Sequence, residues 1–164
     1  MWTKGHITPL WKEEYKKFNY IHKEAHPNDI IFWKRQGYNF DTYTGKMFAE
    51  QNKMPQWVKT VSDQIGLTQC GYTFYQMSTG IIMPKHVDHF ENYCKFYNAN
   101  KNDVYRAIVA LEDWQSGHYF EIDNQIIHDY KRGDYILWSS DVAHSAANLG
   151  INTRYTLQIT GQIL

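Results

Sequence analysis

Cross-linking chemistry is scarce in this chain: two cysteines, Cys70 and Cys94, in 164 residues are too few for a disulfide framework. No apolar run approaches the roughly 20 residues that a membrane-spanning helix needs, so no membrane partner is expected. The first residues, MWTKGHITPLWKEEYKK, lack the apolar stretch of a secretory signal, and the cytoplasm is the expected location. Net charge is missing as well. The 17 Lys and Arg balance the 17 Asp and Glu, which removes the electrostatic case for nucleic acid as a partner.

Aromatic side chains are plentiful: 13 Tyr, 8 Phe and 6 Trp, residue types that favour strands and packed sheets. The length suits one domain over 1–164, large enough to bury its own core. Residues 1–66 read as a helical N-terminal support. Trp11, Tyr15, Phe18 and His22 recur at spacings of four, three and four, which predicts a helix over 11–25, ended by His26-Pro27. A second helix follows Pro55, with Trp57, Val61 and Ile65 on one face and Gly66 as its left-handed cap. Residues 27–54 are ambiguous. Over 67–164 the pattern changes to eight short β-rich runs, TQCGYTFYQM, GIIMPKHV, VYRAIVALE, HYFEI, QIIHDY, DYILWS, VAHSAAN and RYTLQITGQIL, punctuated by turns. The expected fold is mainly β, a double-sheet jelly roll with the N-terminal helices packed on one sheet.

Chemistry concentrates at His86-Val87-Asp88. Side chains at i and i+2 of an extended segment share a face, so one imidazole and one carboxylate converge on a single ion. A second imidazole must come from a distant strand. His144, after DYILWSS and before the turn NLGIN, is the candidate. Two His and one carboxylate form a facial triad, which leaves positions of an octahedral Fe(II) open in a way a closed structural zinc site does not. The alternation in RYTLQIT puts Arg154, Thr156 and Gln158 on one face of the last strand and Tyr155, Leu157 and Ile159 on the other. That polar face belongs either to solvent, on an exposed edge strand, or to a cofactor pocket inside the roll. A guanidinium pairs naturally with a carboxylate through two parallel hydrogen bonds, and Thr156 can add a third donor, which suits the distal carboxylate of 2-oxoglutarate.

In its order of elements the stretch from Tyr72 to Gly161 resembles the Fe(II)/2-oxoglutarate-dependent oxygenase superfamily, and within it the prolyl hydroxylase group. The elements are Tyr75, then His86-Val87-Asp88, then GDYILWSSDVAH ending on His144, then TRYTLQIT with Arg154 ten residues on. The resemblance implies a double-stranded β-helix. It implies metal ligands His86, Asp88 and His144, and 2-oxoglutarate held by Arg154 and Thr156 with the Tyr75 hydroxyl reaching a carboxylate. It further implies O2 as oxidant, ascorbate as a stimulant, and hydroxylation of a peptidyl residue, proline among the options, with release of succinate and CO2. A peptide or protein substrate is expected ahead of a small molecule. LEDWQSGHYF followed by GDYILWSS is also similar to the aspartyl/asparaginyl β-hydroxylases, which lack the carboxylate ligand that Asp88 supplies here.

Secondary candidates surround this set. Arg106 is expected to pair with an acidic neighbour or to reach into the roll as a second anion contact. His89, His118 and His128 are expected at the surface, His118 with the option of lining the pocket mouth, and Trp114 and Trp138 read as packing residues. The segment from Glu91 to Asp103 reads as a polar surface loop, suited either to a substrate lid or to a plain connection. Two rival functions share the fold. One is a cupin-like metalloenzyme for which Arg154 is dispensable; the other is a non-catalytic jelly-roll module that binds sugar or peptide through exposed aromatics.

Overall fold

A computed structural model describes residues 1–40 and 43–163. The elements, in chain order, are β1 (Trp2–His6), β2 (Ile21–His22), α1 (Pro27–Arg35), β3 (Lys46–Phe48), α2 (Trp57–Ile65), β4 (Leu67–Met77), β5 (Ile82–His86), α3 (Glu91–Tyr97), β6 (Val104–Ala110), β7 (His118–Ile122), β8 (Gln125–Ile126), β9 (Asp134–Ser139), β10 (His144–Asn148) and β11 (Arg154–Ile163). The strands build two antiparallel sheets. One has the order β1-β9-β6-β11-β4-β3-β2 and the other β5-β10-β7-β8. Strands β4 to β11 are the expected eight-stranded roll, and the fold is a double-stranded β-helix. Leu164, the end of the expected last strand, lies outside the described residues.

Two apolar layers hold the sheets in place. Met77, Phe120, Ile122, Ile136, Trp138 and Ala146 form the core associated with the smaller sheet. On the other side of the large sheet, Phe74, Val109, Leu157 and Ile159 pack against Trp11, Tyr15, Val58 and Val61 from the N-terminal third. That second layer resolves the alternation in β11. Leu157 and Ile159 are fully buried under the N-terminal layer, so Arg154 and Thr156 face the interior of the roll, where both are buried.

The N-terminal third differs from the helical support expected of it. Instead of a helix over 11–25 there is a 3-10 turn over Glu14–Lys17, followed by β2. Phe18 stacks on Phe48 at 4.5 Å, and Tyr20 lies 6.0 Å from Tyr155. A helix would put residues 18 and 20 on nearly opposite faces, whereas an extended chain puts i and i+2 on the same one. Contacts with the sheet therefore override the four-three-four spacing. Pro27 starts a helix rather than ending one: α1 begins there, with the His26 ring accepting a hydrogen bond from the Asn28 N–H, and proline suits a first-turn position that has no N–H to satisfy. Strand β1 pairs with β9 in the register Trp2↔Trp138 and extends one edge of the large sheet, while β2 and β3 extend the other. Helix α2 follows the sequence pattern, with Gly66 in the left-handed conformation at φ 85°. Of QIIHDY, only Gln125–Ile126 forms a strand.

The expected polar loop over 91–103 contains α3 and a short 3-10 turn. The Tyr93 hydroxyl donates to the Gln69 carbonyl at 2.8 Å, and that of Tyr97 to the Cys70 carbonyl at 3.3 Å, so α3 is tied to the start of β4. No helix among the described residues is long and apolar enough to cross a membrane.

Candidate metal centre

Antiparallel pairing of β5 with β10 sets His86 directly opposite His144. Their rings stand 4.4 Å apart, centroid to centroid. Asp88 lies just past the end of β5 and brings its Oδ2 to 3.8 Å from His144 Nε2. One donor atom from each of the three residues lies within 4.8 Å of the others, close enough to meet on one ion.

Both imidazoles are oriented by the same local device. His86 Nδ1 lies 2.8 Å from the Pro84 carbonyl oxygen and His144 Nδ1 lies 3.0 Å from that of Val142, in each case two residues back. A carbonyl can only accept, so Nδ1 carries the proton and Nε2 presents a lone pair to the centre. Burial pushes the His144 pKa down to about 4, which keeps the ring neutral near pH 7 and available as a ligand. Trp33 on α1 donates its indole N–H to the Lys85 carbonyl at 3.0 Å and meets the His86 ring edge-on at 5.7 Å. It fixes the end of β5 where His86 sits.

Asp88 is the most heavily supported of the three. Arg106 Nη2 donates to Oδ1 at 2.9 Å, and the Trp138 indole N–H donates to Oδ2 at 3.0 Å. Burial pushes the carboxyl pKa up, but the Arg106 guanidinium, the two imidazoles and the Trp138 N–H outweigh it and leave the pKa below the usual range. Arg106 is thus an ion-pair partner of Asp88, with its guanidinium 4.9 Å from the centre of the Phe90 ring. Phe90 adopts a left-handed backbone at φ 56°, unusual for a bulky residue, and is buried.

The cluster opens into a cavity of about 100 Å³ whose walls include Tyr75, Phe120, Trp138, Arg154 and Thr156. Tyr75 and Thr156 are cross-strand neighbours on β4 and β11. Burial pushes the Tyr75 phenol up to about 12, so it remains a hydrogen-bond donor at neutral pH. Arg154 is only 7% exposed, yet no carboxylate among the described residues pairs with it. Its Nε donates to the Tyr130 hydroxyl at 3.3 Å, and its guanidinium lies 5.8 Å from the centre of the Phe120 ring.

Several secondary expectations fall elsewhere. His118 is buried rather than at the surface, with its Nε2 2.9 Å from the Asn152 carbonyl oxygen, and it is absent from the cavity wall. His89 is half-buried and 3.1 Å from Asp29. His128 is exposed, as expected, and pairs with Asp129. Trp138 is a packing residue that also grips Asp88, a role its place in DYILWS does not reveal. Trp33 and Tyr130 carry no motif either; their relation to the centre exists only in three dimensions.

The donor set suits a first-row divalent ion: two imidazoles and one carboxylate, all partly or fully buried and all lining the cavity. No family model matches the sequence, and no curated protein matches it. Solved structures do. A prolyl-4-hydroxylase from Pseudomonas putida is 15% identical, with a TM-score of 0.57, over 99% of this chain and 92% of that one. A cupin protein from Bacteroides fragilis is 16% identical, with a TM-score of 0.41, over 62% of this chain and 72% of its own. A double-stranded β-helix domain protein from Klebsiella pneumoniae is 13% identical at a TM-score of 0.40, over 58% and 70%. What this chain shares with the prolyl-4-hydroxylase is the fold.

Proposed function

We propose that this chain is an Fe(II)- and 2-oxoglutarate-dependent oxygenase that hydroxylates a residue within a peptide. The observation that carries the reading is the pairing, in one small cavity, of an open His–Asp–His donor set with Arg154, a buried cation that has no carboxylate partner among the described residues. A buried charge needs a counter-charge, and a dicarboxylate spanning from the donor set to the guanidinium supplies it.

His86, Asp88 and His144 would hold the iron, which with 2-oxoglutarate supplies oxygen activation coupled to loss of CO2, formation of succinate and transfer of one oxygen atom to substrate. Arg154 binds the distal carboxylate through its two Nη groups, since Nε is engaged by Tyr130. The Thr156 hydroxyl and the Tyr75 phenol add donors from the adjoining wall. Arg106 and Trp138 keep Asp88 ionised and aimed at the centre. Phe120, Ile108 and Trp138 line the cavity with apolar surface and limit water at the reacting atoms.

A peptide substrate fits the approach to this centre. A second, open cavity of about 480 Å³ shares Tyr75 and Arg106 with the first and is walled by Met47, Tyr72, Phe90 and Tyr93. A groove that mixes aromatic faces with polar side chains such as Gln51, Asn92 and Gln158 can accept a peptide backbone and its side chains together. The test is incubation of the protein with Fe(II), ascorbate, 2-oxoglutarate and a peptide pool, with mass spectrometry for succinate and for peptides that gain one oxygen. Succinate formed in step with hydroxylated peptide is the expected result. A metal-loaded protein that leaves 2-oxoglutarate unbound and unconsumed overturns the reading.

A further inference from the structure

Three cavities lie side by side and share walls. The metal cavity shares Tyr75, Arg106 and Gln158 with the aromatic groove, and Ile108, Phe120, Arg154 and Thr156 with a third space of about 380 Å³. That third space lies between the edge strand β1 of the large sheet, with its neighbour β9, and the segment after β8, the edge strand of the small one. β8 is only two residues long, so pairing at this edge of the small sheet stops early, and residues 127–130 run on past it as cavity wall. Arg154 stands in the partition and is reachable from both sides.

The two outer spaces carry balanced formal charge, Lys4 and Arg154 against Asp129 and Asp134 in the lateral one and Arg106 against Glu91 in the groove, and differ in which guanidinium they reach. The aromatic groove carries Glu91 at its wall, and its guanidinium, Arg106, is already paired with Asp88. The lateral space carries two cations without carboxylate partners among the described residues, Lys4 on exposed β1 and Arg154 at its inner end; its acids Asp134 and Asp129 lie against His6 and His128. The guanidinium without a carboxylate partner among the described residues is therefore met from the lateral opening, whereas the groove offers only one that is already paired.

We propose that the lateral cavity is a separate door for the small dicarboxylate: 2-oxoglutarate enters and succinate leaves past Lys4 and Arg154, while the peptide uses the groove. This rests on the oxygenase reading. Exchange of the small acid then does not wait for the peptide to depart, and the two ligands bind in either order.

The test blocks each mouth in turn in full-length protein loaded with Fe(II) without oxygen, following by stopped flow the charge-transfer band that 2-oxoglutarate chelation produces. Lys4→Trp and His128→Trp, singly and together, fill exposed rim positions of the lateral door; Asn92→Trp fills an exposed position of the groove; Lys4→Gln tests charge alone. Blocking the lateral door is expected to slow both association and dissociation by about fivefold or more with little change in Kd, since a blocked route alters rates and not the bound state. Asn92→Trp is expected to leave both rates unchanged. Lys4→Gln slows association only, by about twofold at low salt, as a lost steering charge does. Unchanged rates in both single lateral variants, or slower exchange in Asn92→Trp, overturn the separate door and leave the oxygenase reading standing. A weaker Kd with faster release makes Lys4 or His128 part of the binding site and overturns the route. Absence of the band in the wild type removes the oxygenase reading and the door with it.

Discussion

Replacing Arg154 with lysine keeps the charge and removes the fork. Arg154 is 7% exposed, and its Nε is committed to the Tyr130 hydroxyl at 3.3 Å, so two Nη groups remain for a carboxylate. A lysine ammonium placed there offers a point charge without the matched pair of parallel donors. Losing one charge-assisted hydrogen bond of the two costs about 1.5 to 3 kcal/mol, which corresponds to roughly a ten- to hundredfold weaker hold on 2-oxoglutarate. Metal affinity is expected to stay as it was, because no donor of the His–Asp–His set changes. The measurement is a titration of 2-oxoglutarate into Fe(II)-loaded, oxygen-free wild type and Arg154→Lys, read from the charge-transfer band, beside a metal titration of each. Equal 2-oxoglutarate affinity in the two proteins refutes the reasoning and favours a cupin-like metalloenzyme that makes no use of this cation.

The wild type is expected to retain one divalent ion and the double variant His86→Ala, Asp88→Ala none, and metal analysis after desalting checks it; stoichiometric retention by the double variant contradicts the ligand assignment. Arg106→Met leaves Asp88 buried without its counter-charge, so the metal-free protein is expected to lose about 3 kcal/mol of stability. Mn(II) should recover much of that loss in thermal melts, and a variant as stable as wild type without metal would count against the pairing. His118 is held neutral by burial, its pKa below the ordinary 6.5. The unfolded chain takes up this proton first, so stability is complete above about pH 6.5 and falls as the pH drops below it. Denaturant melts of the metal-free protein at several pH values should show a shallower fall in His118→Gln. Helix α3 is anchored by Tyr93 and Tyr97 to β4, so its amides should exchange slowly in the free protein; rapid exchange would restore the mobile lid.

Much of the roll was legible because a strand advertises itself locally. HYFEI and DYILWS coincide with β7 and β9, and Gly66 closes α2 where the spacing puts it. The His–Asp–His cluster was legible for a different reason: His86 and Asp88 are near neighbours, and the distant His144 is marked by the strand before it. Its support was not. Arg106 meets Asp88 through the register of β6 in the large sheet, and Trp33 reaches Lys85 across 52 positions of sequence. β1 was missed because WTKGH has little pattern of its own and becomes a strand by pairing with β9. The helix expected over 11–25 failed where Phe18 and Tyr20 needed the same face, information held by Phe74 and Tyr155 rather than by the segment itself.

Trp138 holds a further use. Its indole N–H is bonded to the Asp88 carboxylate at 3.0 Å, and its ring lies 4.8 Å from that of His144. Light absorbed by this ring is therefore emitted within contact distance of two of the three donors. An open-shell ion such as Fe(II) or Ni(II) quenches an excited indole at that range, whereas filled-shell Zn(II) chiefly perturbs its hydrogen bond and shifts the emission. With an ion held by this group the molecule would carry its own optical gauge of which one is seated, readable without label or substrate, and Trp138→Phe supplies the blank against the other five tryptophans.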